Sequence, residues 1–197
     1  MSELNKEKSK IDNREYIDSV KEIIYGKAYV IVNASYVHAY IVSELRDNFS
    51  FYFRDRNIEC RVYSEGLNVY LDEDDEDTYV IPDVVIICGE NRIIGNGYKG
   101  VPELIVEVLS NKTRSKDKGL KYRLYEKVGV KEYWIVDPRS KSVEQYILKD
   151  GRYFLDLLVL INKDDDIEDG ENLENSIMES FAFEGMNVDF NNIFKNI

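Results

Sequence analysis

The sequence predicts one α/β domain of the mixed, α+β kind: a sheet of parallel and antiparallel strands with flanking helices. Three observations carry this. The stretch 103–137 reads as "ELIVEVLS", "RSKDKGLKYRLYEKVG" and "EYWIVDP", an apolar strand, a helix and a second apolar strand. Strands joined by a helical crossover run parallel. The strand-like runs before and after this unit lie close enough in sequence to pair antiparallel, which makes the sheet mixed. Finally, 197 residues at 44% hydrophobic and 32% charged suit a single sizeable core spanning 1–197.

In chain order, a polar leader (1–15) precedes "KEIIYGKAYVIV", two short strands turning at Gly26. "NASYVHAYIVSELRDNF" has helical spacing, with Val37, Ile41, Leu45 and Phe49 in step and Asn33 or Ser35 as the cap. "ECRVYSEGLNVYL" reads as two strands around "SEG", and "YVIPDVVIIC" as a strongly apolar strand. "GENRIIGNGYKG", rich in glycine and asparagine, reads as a loop. The crossover helix ends at Gly129 and the strand after it stops at Pro138. "SVEQYILKDGRYFLDLLVLI" is a hairpin turning at Asp150-Gly151. An acidic loop (about 163–175) and a short final segment, "MNVDFNNIFKNI", complete the chain.

The net charge of −12 argues against general nucleic-acid affinity, which needs a positive surface facing phosphates. The charge is uneven, however. "DEDDED" and "DDDIEDGE" hold six acidic residues each, whereas eight Lys/Arg between Lys112 and Lys131 face only Asp117 and Glu126. That basic segment is either a phosphate-facing patch or a solvated helix face. No apolar run reaches the roughly 18–20 residues that cross a bilayer, and the leader lacks a secretory apolar region. Cys60 and Cys88, far apart and outside any CxxC pair, point to reduced thiols in a cytoplasmic setting, without structural zinc.

A few polar residues sit where apolar ones belong. Strand alternation puts Glu107 on one face with Ile105 and Leu109, and Asp83 on one face with Ile81, Val85 and Ile87. At 100° per residue, Lys121 falls within the stripe of Leu120, Leu124 and Val128, with Asp117 beside it. His38, the single histidine, falls between Ile41, Val42 and Leu45. Structural explanations exist for each: Asp83 bonds a backbone amide, Glu107 and Lys121 form an ion pair, Lys121 snorkels, and His38 is a satisfied core histidine. Two carboxylates and an amine converging on one interior also make a hard, oxygen-rich site for Mg²⁺ or Mn²⁺. Such a metal activates water against a phosphodiester, and a lysine stabilises the charge that develops.

"IPDVVIIC" followed by "GVPELIVEVLSNKTRSKDKGLKYRLYEKVGVKEYWIVDP" resembles the Uma-type family of restriction endonucleases, a branch of the PD-(D/E)XK superfamily. The likeness is specific over about 79–148 and looser on either side. It implies a restriction-endonuclease-like core, a metal-dependent endonuclease activity on DNA, and a site where the central strands diverge. By motif, Asp83 and Glu107 become metal ligands, together with the Val108 backbone carbonyl. The superfamily's lysine position holds Leu109, and the family's D-x-x-x-K-x-x-x-Y helix pattern is matched by Asp117, Lys121 and Tyr125. That pattern makes Lys121 the catalytic lysine. His38 and Glu22 match supporting positions, while the family's acidic residues at the first turn are Tyr25 and Lys27 here. The alternative is a catalytically silent module on the same fold that binds nucleic acid or protein. RNA as substrate and a homodimer are further expectations.

Overall fold

The computed structural model describes residues 21–31, 34–72, 78–89, 92–95, 97–161 and 176–197. The polar leader, most of the first acidic run and the loop at 163–175 lie outside them. The chain begins with a hairpin, β1 (Lys21–Ile24) and β2 (Lys27–Val30), whose turn residues Tyr25 and Gly26 both have positive φ, 51° and 73°. That is the backbone a two-residue hairpin turn requires. Helix α1 (Tyr36–Asp55) starts at Ser35, whose hydroxyl accepts the His38 amide at 3.2 Å. Its buried stripe of Ile41, Val42, Leu45, Phe49, Tyr52 and Phe53 follows the 3.6-residue period.

β3 (Cys60–Ser64), β5 (Val84–Cys88), β8 (Leu104–Val108), β9 (Glu132–Asp137), β10 (Ser142–Lys149) and β11 (Arg152–Leu160) form the central sheet, in the order β11-β10-β9-β8-β5-β3. Within this sheet only β8 and β9 pair in parallel, as a helical crossover dictates. Between them run a π-helical stretch (Lys116–Lys121) and α2 (Tyr122–Val128), closed by Gly129 at φ 91°. β10 and β11 turn at Asp150 and Gly151, both at positive φ.

β4 (Asn68–Tyr70) does not fold back on β3. It pairs in parallel with β7 (Gly97–Lys99) in a separate three-stranded sheet that includes β6 (Ile93–Ile94). The segment expected to be a loop thus holds two strands. Its glycines decide this: a Cβ at Gly97 would sit 2.6 Å from the Asn68 carbonyl, so the tight β4–β7 pairing needs glycine there. β12 (Ile177–Glu179), β13 (Asn187–Asp189) and α3 (Phe190–Phe194) complete the chain.

Alternation divides the core between the sheet's two faces. Val84, Ile86, Leu104, Val106, Val108, Trp134 and Val136 pack against α1 and α3. Val85, Ile87, Ile105, Leu109, Tyr133 and Ile135 pack against α2 and the small sheet. Each such side chain, fully buried, contributes about 1.5–3 kcal/mol. Cys60 and Cys88 are register partners on β3 and β5 and form a disulfide. The expectation of two reduced, separate thiols is overturned, because distance in sequence says nothing about antiparallel register. The cytoplasmic setting loses that support. Among the described residues, no helix is long and apolar enough to cross a membrane.

Candidate active site

Three neighbouring strands bring acidic residues together near their ends. Ser64 pairs with Val84, and Val84 with Val106. One residue further along, Glu65, Asp83 and Glu107 stand in a row across β3, β5 and β8. Glu107 points to the α2 face, where Tyr125 meets it, whereas His38 of α1 reaches Asp83 and Glu65 at the strand ends. The Glu65 amide donates to the Asp83 carbonyl at 3.2 Å, so the row continues past the assigned pairing. The site therefore lies where the strands begin to separate.

Asp83 Oδ2 accepts the Val108 amide at 2.7 Å and His38 Nε2 at 3.1 Å. Strand β8 and helix α1 thus fix this carboxylate from two sides. Glu107 Oε1 accepts the Lys121 ammonium at 2.7 Å and the Tyr125 hydroxyl at 2.8 Å. Lys121 also meets Glu22 Oε1 at 2.5 Å, and Asp117 Oδ1 lies 3.9 Å from it. Glu22 in turn pairs with Lys116 and accepts the Ile81 amide at 3.0 Å, which ties β1 to the centre. Glu22, Glu107, Asp117 and Lys121 are each at most 2% exposed. The π-helical winding from Lys116 to Lys121, not the ideal 100° step, sets the direction of Asp117 and Lys121. Such winding recurs at functional sites.

The electrostatics follow from crowding. Burial pushes the Glu107 carboxyl well above the ordinary range; Lys121 opposes this, while Asp83, Asp117 and Glu22 add to it. Burial alone would pull Lys121 down, but Glu107, Glu22 and Asp117 outweigh it and hold the ammonium well above its ordinary value. Asp117 is raised by burial against the pull of Lys121. Glu22, despite burial, is lowered by Lys121 and Lys116. His38 is raised because Asp83 and Glu65 overcome its burial. Carboxylates outnumber the ammonium groups at this point, and that excess is the negative field a divalent cation would neutralise.

These groups line a cavity of about 900 Å³. Glu22, His38, Asp83, Glu107, Asp117 and Lys121 all face it, and Ser35, Glu65, Asn111, Lys112 and Arg139 form its exposed rim. Arg114 holds the rim loop by a two-pronged bond to Asp137, 2.7 and 2.8 Å, which against its burial lowers the Asp137 carboxyl to about 2. Tyr125 stands behind Glu107 in the core. Val108 lends its backbone while its side chain packs on the opposite face.

Sequence reasoning missed Glu65 and Lys116. Glu65 sits at φ 40°, a left-handed conformation uncommon for a side-chain-bearing residue. The tripeptide "SEG" marked the turn, but nothing local showed that the turn faced Asp83. His38, Glu65 and Asp83 each offer a ligand atom, all within 4.8 Å of one another.

Comparison with known proteins agrees with this architecture. The family model Uma2, described as "Putative restriction endonuclease", matches residues 15–172. A crystal structure from Anabaena variabilis, described as a "putative nuclease belonging to DUF820", superimposes with a TM-score of 0.68 at 16% identity, covering 93% of this chain and 96% of the other. At that identity the likeness establishes the fold. No curated protein matches the chain.

Proposed function

The chain belongs to the Uma2 family, and we propose that its cavity is a nuclease active site that hydrolyses DNA phosphodiester bonds with Mg²⁺ or Mn²⁺. The observation that carries this reading is the convergence of Glu22, Glu107 and Asp117 on one buried ammonium, Lys121, with Asp83 lining the same cavity. Buried charge of this density is costly, and a purely structural role would be met by fewer charges.

Asp83 and Glu107, with the Val108 carbonyl, would hold the cation; the surplus of carboxylates and the buried Asp117 Oδ1, which no hydrogen bond satisfies, fit a divalent charge there. When bound, such an ion shields phosphate charge and acidifies water. Lys121 stays an ammonium at neutral pH, so its role is electrostatic: it stabilises charge building on the phosphoryl oxygens. Glu22 and Asp117 hold that ammonium in place. Tyr125 fixes Glu107 from behind, and His38 orients Asp83. Lys112 and Arg139 on the rim offer cations to flanking phosphates.

Purified protein should nick plasmid DNA with Mg²⁺ or Mn²⁺ and not with EDTA. Asp83→Ala, Glu107→Ala and Lys121→Ala should each abolish nicking, and undiminished cutting by all three would sink the assignment. A second reading, a catalytically silent binding module, draws on Leu109 at the superfamily's lysine position and on the net charge of −12. DNA binding without cleavage under any metal would favour it. Matched DNA and RNA oligonucleotides decide the substrate. Cutting both strands at once calls for two copies, so sedimentation should show a dimer.

A further inference from the structure

We propose that the outer edge of the central sheet, strand β11, is a self-association surface on which a second copy of this chain docks, its own β11 running antiparallel to the first. β11 stands last in the sheet order, and among the described residues no strand pairs with its outer side. Its sequence, "RYFLDLLVL", is nonetheless that of an interior strand. An edge strand that ends in water alternates apolar with polar residues or carries charge along its length. β11 does neither. Leu157 stands opposite Gln145, itself opposite Trp134, on the α1 face, while Leu155 and Leu158 stand opposite Tyr146 and Glu144 on the α2 face. Both faces therefore offer apolar side chains, and Phe154, Leu155, Leu157, Leu158 and Leu160 are 37–52% exposed.

The patch is wider than the strand. β12 packs against β11 and adds Ile177. Phe181 follows it, its amide bonded to Glu132, which begins a row that continues through Ile147 to Phe154. Ile177 and Phe181 are 47% and 56% exposed. Large side chains present roughly 150–250 Å² each when free, so this set leaves about 600 Å² of apolar surface open. That is the upper end for the largest patch on a typical monomer, and with a polar rim it approaches the ~800 Å² per partner of a stable interface. Charge selects a second copy as the occupant. Two chains of net charge −12 repel each other, but β11 holds only Arg152 and Asp156, whose charges cancel, and Asp156 pairs with Lys149 at 3.5 Å. A two-fold axis brings the strand to itself, so apolar faces meet apolar faces. The bulge at Asp156 leaves residues 157–160 uncharged and in regular register with β10. β11 also lies at the opposite edge of the sheet from β3, so docking leaves the Glu65 side of the cavity clear.

The proposal places the dimer on a definite surface and does not require cleavage. Sedimentation equilibrium of the full chain should fit a monomer–dimer equilibrium. The double variant Leu155→Lys, Leu158→Lys should weaken association at least about a hundredfold, because each substitution enters a two-fold interface twice and brings an unpaired charge into its centre. Both side chains are about half-exposed in the single chain, so the fold persists, as circular dichroism would verify. Phe51→Lys, on the exposed face of α1, should leave association within about threefold. In the wild type, hydrogen-exchange protection of the β11 amides should rise with protein concentration, a readout that needs no variant. A monomer at every concentration, a dimer that survives the double variant, or β11 protection that ignores concentration would overturn the interface. A different partner would then cover this edge. Nicking of plasmid DNA by the monomeric variant upholds the nuclease reading whatever becomes of β11, and a β11 dimer that never nicks sinks that reading alone.

Discussion

Glu107 and Glu132 lie on adjacent parallel strands, both nearly sealed from solvent, yet their surroundings differ in kind. Glu132 projects from the α1 face and accepts five hydrogen bonds: Trp134 Nε1 at 2.6 Å, Gln145 Nε2 at 2.6 Å, Ser180 Oγ at 2.6 Å, and the amides of Phe181 and Ala182 at 3.1 and 2.9 Å. None of these donors is a lysine or arginine. Its two oxygens are spent on neutral groups, and they fasten the segment after β12 to the sheet. Glu107 projects from the other face, pairs with Lys121 and Tyr125, and lies among further carboxylates beside a cavity. Burial of a carboxylate therefore does not by itself mark chemistry. What separates the two is the crowding of like charge and an opening to solvent.

The sharpest way to break the comparison is Glu132→Ala. Several buried donors would lose their acceptor together, so urea denaturation should show a loss of about 3–5 kcal/mol. Cleavage per folded molecule should persist, and a fall in it would give Glu132 a part in the site. Next is Lys121→Met, expected to cut the rate about 10²–10³-fold, the scale of one lost electrostatic donor. A rate loss matched in size by a stability loss would make Lys121 merely structural.

The smallest effect concerns His38. Its value is raised in the folded state, so the stability it contributes is fully present below the ordinary histidine value and is lost as pH rises through the folded one. Between pH 6 and 8 the wild type should lose up to about 1 kcal/mol, the size expected of one partly screened pair. Thermal melts of His38→Gln should show a flatter profile across that window. A slope unchanged by the substitution would assign the dependence to other groups.

Much of the site could be read in the chain. Strand alternation singled out Glu107 and Asp83, and helical spacing turned Asp117 and Lys121 inward; the structure has all four lining one cavity. The reading failed where partners are distant. Glu132 opens an apolar strand as plainly as Glu107 interrupts one, but its donors come from residues 134, 145 and 180–182, and no local pattern assembles them. Cys60 and Cys88 were separated for the same reason, and the glycine-rich loop hid the strands that Gly97 makes possible.

Periodicity is a local property, so the sequence by itself settled which residues face inward: the apolar stripes, the inward carboxylates, the lysine on the crossover helix and the parallel pair that this helix enforces. Register is a relation between segments far apart in the chain. Only the tertiary structure decided that Glu65, Asp83 and Glu107 line up in one row across three strands, that His38 reaches across to Asp83, and that the two cysteines meet. Charges act through distances of a few ångströms, and those distances exist only once the strands have chosen their neighbours.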